Sequence, residues 1–178
     1  GRLAEFKRTF ATDFQRCLVA SALDPNCVTP TGGVAGIARI ADTLIALEPV
    51  AESLQKLANS GRVQLLAFGK GKGSDLILFY NVYGFSGGHG NPARANGTSA
   101  ILQAIADDIQ LRPPIAAFIC GDFNADLADF AATKTLCGQM HWMDVGASCA
   151  AWGRPELEDT CITKHAHEPS RRDLVLVN

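Results

Sequence analysis

Hydrophobic residues recur along much of the chain with a spacing of three or four, which is typical of amphipathic helices. A regular spacing of four predicts a first helix over residues 6–18. A second helix is predicted over residues 49–59, with Gly61 placed where a C-terminal cap would lie. The pair Asn91-Pro92 is a favourable helix start and predicts a third helix that ends before Pro113. A short fourth helix is predicted around residues 129–137.

Between these segments lie short runs of consecutive apolar or alternating residues, which predict strands. The runs cover residues 33–40, 62–69, 74–83, 115–120 and 173–177. The glycine-rich residues 69–73 join two of these runs, so a hairpin is expected there. The run IAAFIC is apolar at every position, as in a strand that is covered on both faces. The sequence therefore predicts a mixed α/β fold with helices layered on a sheet.

Polar residues stand at the ends of three of these strands. Strand ends at one edge of a sheet converge, so such residues can meet across a cleft. A carboxylate can hold Mg²⁺ or orient a water molecule, and a Tyr or Arg can donate to a phosphate oxygen. Each group taken singly also fits an ordinary strand end. The three groups are Asn81 with Tyr83, Asp122 with Asn124, and Arg171 and Arg172 with Asp173.

Length, charge and cysteine content limit the classes of protein that the chain can belong to. The 178 residues suit one domain, and hydrophobic and charged contents of 47% and 19% are those of a folded protein. A net charge of −2 provides no overall basic field for nucleic acid, although a local basic patch remains open. The six cysteines form no C-x-x-C pair, which favours reduced thiols and a nuclear or cytoplasmic location. No run is long enough to predict a membrane span.

The residues alone also suggest two other kinds of site. Cys161, His165 and His167 are candidate zinc ligands, but no fourth ligand has the spacing of a zinc finger. The stretch GHGNPA at residues 88–93 satisfies G-x-G-x-x-A before a helix, the pattern of a dinucleotide-binding turn. It fits poorly, because Pro92 lacks an N–H where a pyrophosphate would need one.

Four short segments follow one another along the chain: GGVAGIAR from Gly32, NVYG from Asn81, GDFNAD from Gly121 and SRRDLVLVN from Ser170. Together they resemble the endonuclease/exonuclease/phosphatase superfamily. The corresponding patterns of the family are roughly GGVAI, N-x-Y-x-P, GDFN and S-R-x-D followed by apolar residues, in the same order. The glycine-rich GFSGGHG at residues 84–90 and the second Arg of SRRD are most similar to non-LTR retrotransposon endonucleases.

This resemblance implies a fold, a reaction and a cofactor. The fold would be a DNase I-like four-layer α/β/β/α sandwich, with residues 1–178 forming one domain that is incomplete at both ends and part of a longer polypeptide. The reaction would be Mg²⁺- or Mn²⁺-dependent phosphodiester hydrolysis, with DNA as the nucleic-acid partner. Asp122 would orient or deprotonate the attacking water, Asn124 would place it, and Tyr83 would donate to a phosphate oxygen. Asp173 would pair with a histidine of a Ser-Asp-His motif expected beyond Asn178.

The resemblance also suggests metal and phosphate contacts. Asp122 and Glu5 would be the metal ligands, although Glu5 is equally well explained as an exposed acid on the first helix. Contacts to the substrate phosphate are expected from Asn81, Arg171, Arg172 and His89. Phe85 stands where the family pattern has proline, which would loosen the turn after Tyr83.

Two further functions remain compatible with the same fold. A domain that lacks the terminal histidine can bind without catalysing, because removal of one member of a catalytic group costs orders of magnitude in rate. A phosphatase that acts on a small phosphoester would use the same strand-end residues.

Overall fold

The computed structural model describes residues 18–20, 33–37, 43–69, 76–88, 91–153 and 172–178. Within these residues the chain forms eight strands, two α-helices, two 3-10 turns and one π-helical turn. The helices are α1, Glu52–Ala58, and α2, Pro92–Gln110. The strands are β1 Leu18–Ala20, β2 Ala35–Ile37, β3 Thr43–Ala46, β4 Val63–Gly69, β5 Ile77–Tyr83, β6 Ala117–Asp122, β7 Met143–Asp144 and β8 Asp173–Val177.

Six of the strands form one sheet in the order β3-β4-β5-β6-β8-β7. β4 and β5 pair antiparallel, as expected for strands joined by a hairpin. β5 and β6 pair parallel, and α2 provides the crossover that a parallel pair requires. β8 runs antiparallel to β6, so the first residue of β8 lies at the same edge of the sheet as the last residues of β5 and β6.

One face of this sheet forms the main core with α2. Leu65, Tyr80 and Ile119 project from neighbouring strands on that face and are buried together with Ile101 and Ile105 of the helix. The helix repeats apolar residues at the spacing that keeps them on one side, which is why it lies flat on the sheet.

The opposite face of the sheet receives a small two-stranded sheet formed by β1 and β2, which pair antiparallel. Gly36 of β2 approaches this face so closely that an added Cβ would lie 2.4 Å from Cδ1 of Leu66. The Nδ2 of Asn81 in β5 donates to the carbonyl oxygen of Ala35, at 3.1 Å. The large sheet therefore packs against a helix on one face and, near β4 and β5, against short strands on the other.

Most of the sequence-based elements are confirmed, with differences at short segments. The predicted strands at residues 62–69, 74–83, 115–120 and 173–177 correspond to β4, β5, β6 and β8, and the helices at 49–59 and from Asn91 to α1 and α2. The predicted strand at residues 33–40 contains β2. The helix predicted over residues 6–18 is wrong at its end, because Leu18 pairs with Ile37 in the small sheet. The rest of this prediction falls on residues that the structure does not describe.

Two further strands and the fourth predicted helix also differ from the sequence pattern. β3 and β7 were not predicted, because strands of four and two residues leave little periodic signal. The fourth predicted helix is instead a 3-10 turn at Leu127–Asp129 followed by a π-helical turn at Lys134–Gln139. Within the described residues, none of the helices is long and apolar enough to cross a membrane.

Candidate active site

Three of the predicted site residues lie side by side at one edge of the large sheet. Tyr83 ends β5 and is the register partner of Asp122, which ends β6. Asp122 is in turn the register partner of Asp173, which begins β8. Register partners on neighbouring strands project from the same face, so these three side chains form a row. The order of strands in the sheet thus brings together residues that are far apart in sequence.

The segment after Asp122 leaves the sheet in a turn that the Asp122 side chain itself stabilises. Oδ1 of Asp122 accepts a hydrogen bond from the backbone N–H of Asn124, at 2.9 Å. The N–H of Phe123 donates to the carbonyl oxygen of Arg172, at 2.8 Å, which ties the turn to the residue before β8. Asn124 has a φ of 58°, a left-handed conformation that Asn tolerates better than most residues. The amide of the GDFN motif is therefore held close to the row.

Two glycines allow the strands to approach at this edge. Gly121 has a φ of 143°, and a Cβ there would lie 1.9 Å from the carbonyl oxygen of Val82. A Cβ on Gly84 would lie 2.3 Å from the carbonyl oxygen of Phe123. The N–H of Gly84 donates to the carbonyl oxygen of Asp122, at 2.7 Å. Side chains at either glycine would thus push apart the two strands that deliver Tyr83 and Asp122.

The environment of Asp122 changes its acidity. Burial raises the pKa of this carboxyl group, and the nearby charge of Asp173 raises it further. The hydrogen bond from Asn124 and the positive charge of Arg172 act in the opposite direction, but the net pKa remains above the usual value for Asp. A carboxylate with a raised pKa is a stronger base, which suits proton abstraction from water.

Sequence reasoning missed Arg62, the residue that precedes β4. Its side chain is 9% exposed, and its Nη1 donates to the carbonyl oxygen of Gly84, at 3.1 Å. The same carbonyl oxygen accepts from Nδ2 of Asn124, also at 3.1 Å. A single Arg at the start of a strand belongs to no sequence motif. Only the pairing of β4 with β5, which places Arg62 opposite Tyr83, could have identified it as a residue of the site.

The turn after Tyr83 is held by contacts that a proline could not provide. The N–H of Phe85 donates to Oγ1 of Thr98 in α2, at 2.9 Å. The Phe85 ring lies against Gly97, where an added Cβ would be 2.7 Å from Cδ2 of that ring. The substitution of Phe for proline therefore adds an anchor to α2, in contrast to the looser turn expected from the sequence.

The remaining predicted residues are placed as follows. Within the described part of the chain, the hydroxyl of Tyr83 makes no hydrogen bond. Asn81 lies two residues before Tyr83 on the same face, and its amide nitrogen is used by β2. Arg172 is half-buried directly before β8. Glu5, His89 and Arg171 lie outside the described residues.

The donor atoms at this edge partly fit a divalent metal ion. Asp122, the candidate metal ligand among the described residues, supplies carboxylate oxygens, which are the ligands that Mg²⁺ and Mn²⁺ prefer. The described residues contain no group of three His, Cys, Asp or Glu side chains that could hold a metal ion by themselves. The other candidate ligand, Glu5, is among the residues that the structure does not describe.

Comparison with known structures identifies the fold. An endonuclease/exonuclease/phosphatase family protein from Bacteroides thetaiotaomicron is similar with a TM-score of 0.62 and 14% sequence identity, over 98% of this chain and 65% of that one. The chain therefore has the DNase I-like fold of such proteins, as the sequence motifs implied. No family model and no curated protein matches the sequence.

Two further structures that are similar to this chain come from proteins with different activities. One is the endonuclease domain of TRAS1, a telomere-specific non-LTR retrotransposon, with a TM-score of 0.54 and 14% identity over 90% of this chain and 65% of that one. The other is a mannosyl-6-phosphatase from Bacteroides thetaiotaomicron, with a TM-score of 0.56 and 12% identity over 98% of this chain and 67% of that one. The chain spans less than two thirds of the length of the family protein and of the TRAS1 domain.

Proposed function

We propose that this chain is a divalent-metal-dependent phosphodiesterase that nicks DNA. The observation that carries the proposal is the row of Tyr83, Asp122 and Asp173 across three neighbouring strands, with Asn124 ordered beside it. The motif resemblance to retrotransposon endonucleases and the similarity to the TRAS1 domain support DNA as the substrate.

Asp122 acts on the attacking water in this proposal. Its raised pKa makes the carboxylate a better proton acceptor, and Oδ1 is kept in place by the N–H of Asn124. The Asn124 side chain is anchored through Nδ2 to the carbonyl oxygen of Gly84. Its remaining amide oxygen is therefore oriented by the backbone and can accept a hydrogen bond from the water.

Tyr83 and the residues around β8 act on the phosphate. The Tyr83 hydroxyl donates to a non-bridging phosphate oxygen, a contact that grows stronger as negative charge develops there. Asp173 accepts a hydrogen bond from a histidine that contacts the scissile phosphate. Arg171, Arg172, His89 and Asn81 are proposed as further contacts to the phosphate backbone.

Asp122 and Glu5 would hold the metal ion. A bound Mg²⁺ or Mn²⁺ would supply positive charge to the phosphate oxygens and lower the pKa of a coordinated water.

The test is nicking of supercoiled plasmid by this chain, with Mg²⁺ and with EDTA. Asp122→Asn keeps the shape of the side chain and removes the base, so we expect a loss of at least about 100-fold in rate. Asp107→Asn is the matched control. Among the described residues, Asp107 near the C-terminal end of α2 bonds to Gln103 of the same helix and to Ser53 of α1, and its loss should leave nicking unchanged.

Each of the other outcomes points to a different conclusion. Nicking that survives Asp122→Asn would remove Asp122 from the mechanism. Hydrolysis of a small phosphomonoester without nicking would identify a phosphatase, the activity of one of the similar structures. Absence of both activities in the unsubstituted chain would favour a domain that binds without catalysing.

A further inference from the structure

Arg62 lies directly beside the proposed active site, although it belongs to none of the sequence motifs. Its carbonyl oxygen accepts the N–H of Tyr83, at 2.8 Å, and the next pair in the register joins Val63 to Val82. Arg62 therefore extends the row of Tyr83, Asp122 and Asp173 onto the strand that precedes it in the sheet.

The guanidinium group of Arg62 contacts three consecutive residues of the turn after β5. Nη1 donates to the carbonyl oxygen of Gly84, at 3.1 Å. Cζ lies 4.1 Å from the ring centroid of Phe85 and 5.5 Å from that of Tyr83. A cation over an aromatic ring is attracted by the electron density of its face, and the attraction is stronger where water is excluded. The Arg62 side chain thus contacts every residue of the turn from Tyr83 to Phe85.

The Gly84 carbonyl oxygen connects the Arg62 guanidinium group to Asn124, which lies beside the row of Tyr83, Asp122 and Asp173. Its oxygen has two lone pairs, and both are used, one by Arg62 and one by Nδ2 of Asn124. The position of that oxygen determines where the Asn124 amide is held. The direction of the Asn124 side chain is therefore coupled to the guanidinium of Arg62, through one atom.

We propose that Arg62 is a positioning residue that fixes the turn from Tyr83 to Phe85 and, through the Gly84 carbonyl, orients Asn124 for hydrolysis. The catalytic part of this inference rests on the proposed function. Arg62 does not itself contact the phosphate in this proposal, because its side chain is almost fully buried and directed at the turn.

Kinetics of three variants test the proposal in the plasmid-nicking reaction. Arg62→Met keeps most of the aliphatic stem and removes the donor, so kcat should fall about 10- to 100-fold with KM changed by less than about threefold. Arg62→Lys can still donate to the Gly84 oxygen and should recover part of the loss. Lys56→Met removes one positive charge from an exposed ion pair on α1 and should match the unsubstituted chain.

Coupling between Arg62 and Asn124 separates positioning from general support of the fold. In the Asn124→Ala background, Arg62→Met should reduce kcat by a much smaller factor than in the unsubstituted chain, since both act through one oxygen. Equal factors in the two backgrounds, or a loss in kcat that merely follows a lower fraction of folded protein, would overturn the proposal.

Amide hydrogen exchange followed by NMR tests the same contacts without any activity. Arg62→Met should accelerate exchange of the Gly84 and Phe85 amides at least about tenfold, while Leu65 and Ile119 in the strand centres stay protected. Unchanged exchange at the turn would overturn the inference even if the chain nicks DNA. Accelerated exchange in a chain that never nicks would instead reject the proposed function and retain the contact between Arg62 and the turn.

Discussion

Gly121 is the residue at which β6 bends toward Asp122, and the neighbouring strand explains why a side chain is not tolerated there. The carbonyl oxygen of Val82 occupies the place of a Cβ, and the φ of 143° is one that L side chains rarely adopt. Both effects are local, yet they determine whether Tyr83 and Asp122 can be register partners.

Gly121→Ala should therefore destabilise the chain by about 2–4 kcal/mol, from the clash and the unfavourable φ together. Gly138→Ala is the matched control, because Gly138 lies in the π-helical turn with no atom within 4 Å of an added Cβ. Ala there should leave stability unchanged or raise it slightly. Urea unfolding of both variants measures the difference, and equal stabilities would contradict the close approach at Val82.

At the scale of elements, one buried carboxylate joins both helices to the sheet. Asp108 of α2 is fully buried and accepts hydrogen bonds from the N–H groups of Val50 and Ala51, directly before α1. It also accepts from the Tyr80 hydroxyl, at 2.8 Å, and pairs with Arg112, at 2.7 Å. Burial alone would raise the pKa of Asp108, but the hydrogen bonds from these four groups lower it overall. For Tyr80, burial and the bond to Asp108 raise the pKa.

Asp108→Asn should cost about 3–5 kcal/mol of stability near neutral pH, since it leaves Arg112, whose side chain is only 13% exposed, without its charge partner. The pKa of Asp108 is lowered in the folded state, so its carboxylate stabilises the fold above the pKa of the unfolded chain. That stabilisation is lost as pH falls through the folded pKa. Urea unfolding at about pH 7 and about pH 3 should show a smaller difference between the two chains at the lower pH.

The adjacent Asp107→Asn is the control for this experiment. Asp107 bonds to Gln103, at 3.0 Å, and lies beside the same helix end without entering the buried cluster. It should change stability by less than about 0.5 kcal/mol at either pH. A penalty for Asp108→Asn that does not shrink in acid would contradict the lowered pKa.

For the molecule as a whole, metal binding distinguishes a domain that can catalyse hydrolysis from one that binds without catalysing. A ligand that binds only the folded state stabilises it by mass action, by about 1.4 kcal/mol when its concentration is about tenfold above Kd. Mg²⁺ at about tenfold above its Kd should therefore raise the melting temperature by about 3–6 °C. The shift should vanish in Asp122→Asn and persist in Asp107→Asn, as measured by differential scanning calorimetry. A shift that persists in Asp122→Asn would place the ion elsewhere.

The sequence pattern predicted the larger elements because each carries its own signal. β4 and β5 are runs of apolar residues on either side of a glycine-rich connection. α2 is preceded by its N-cap Asn91, whose side chain accepts from the N–H of Arg94. The motifs NVYG, GDFN and SRRD stand next to strand ends, so convergence of Tyr83, Asp122 and Asp173 could be expected before the sheet order was known.

Features that depend on partners distant in sequence could not be predicted in this way. β3 is a strand because Thr43 to Ala46 pair with Phe68 and its neighbours in β4, and Ile45 remains 42% exposed. Leu18 continues an apolar spacing of four, but pairing with Ile37 makes it a strand residue. Neither pairing can be recognised from the sequence of one segment alone.

The sequence by itself determined the mixed α/β class, the strand-end motifs and the residue types suited to phosphate and metal chemistry, because helix and strand periods and short motifs are local properties. The tertiary structure decided the row across three strands, the place of Arg62 beside Tyr83 and the buried cluster around Asp108. These arise from strand order, register and exclusion of water. Such properties exist only once distant segments pack together, and no single segment encodes them.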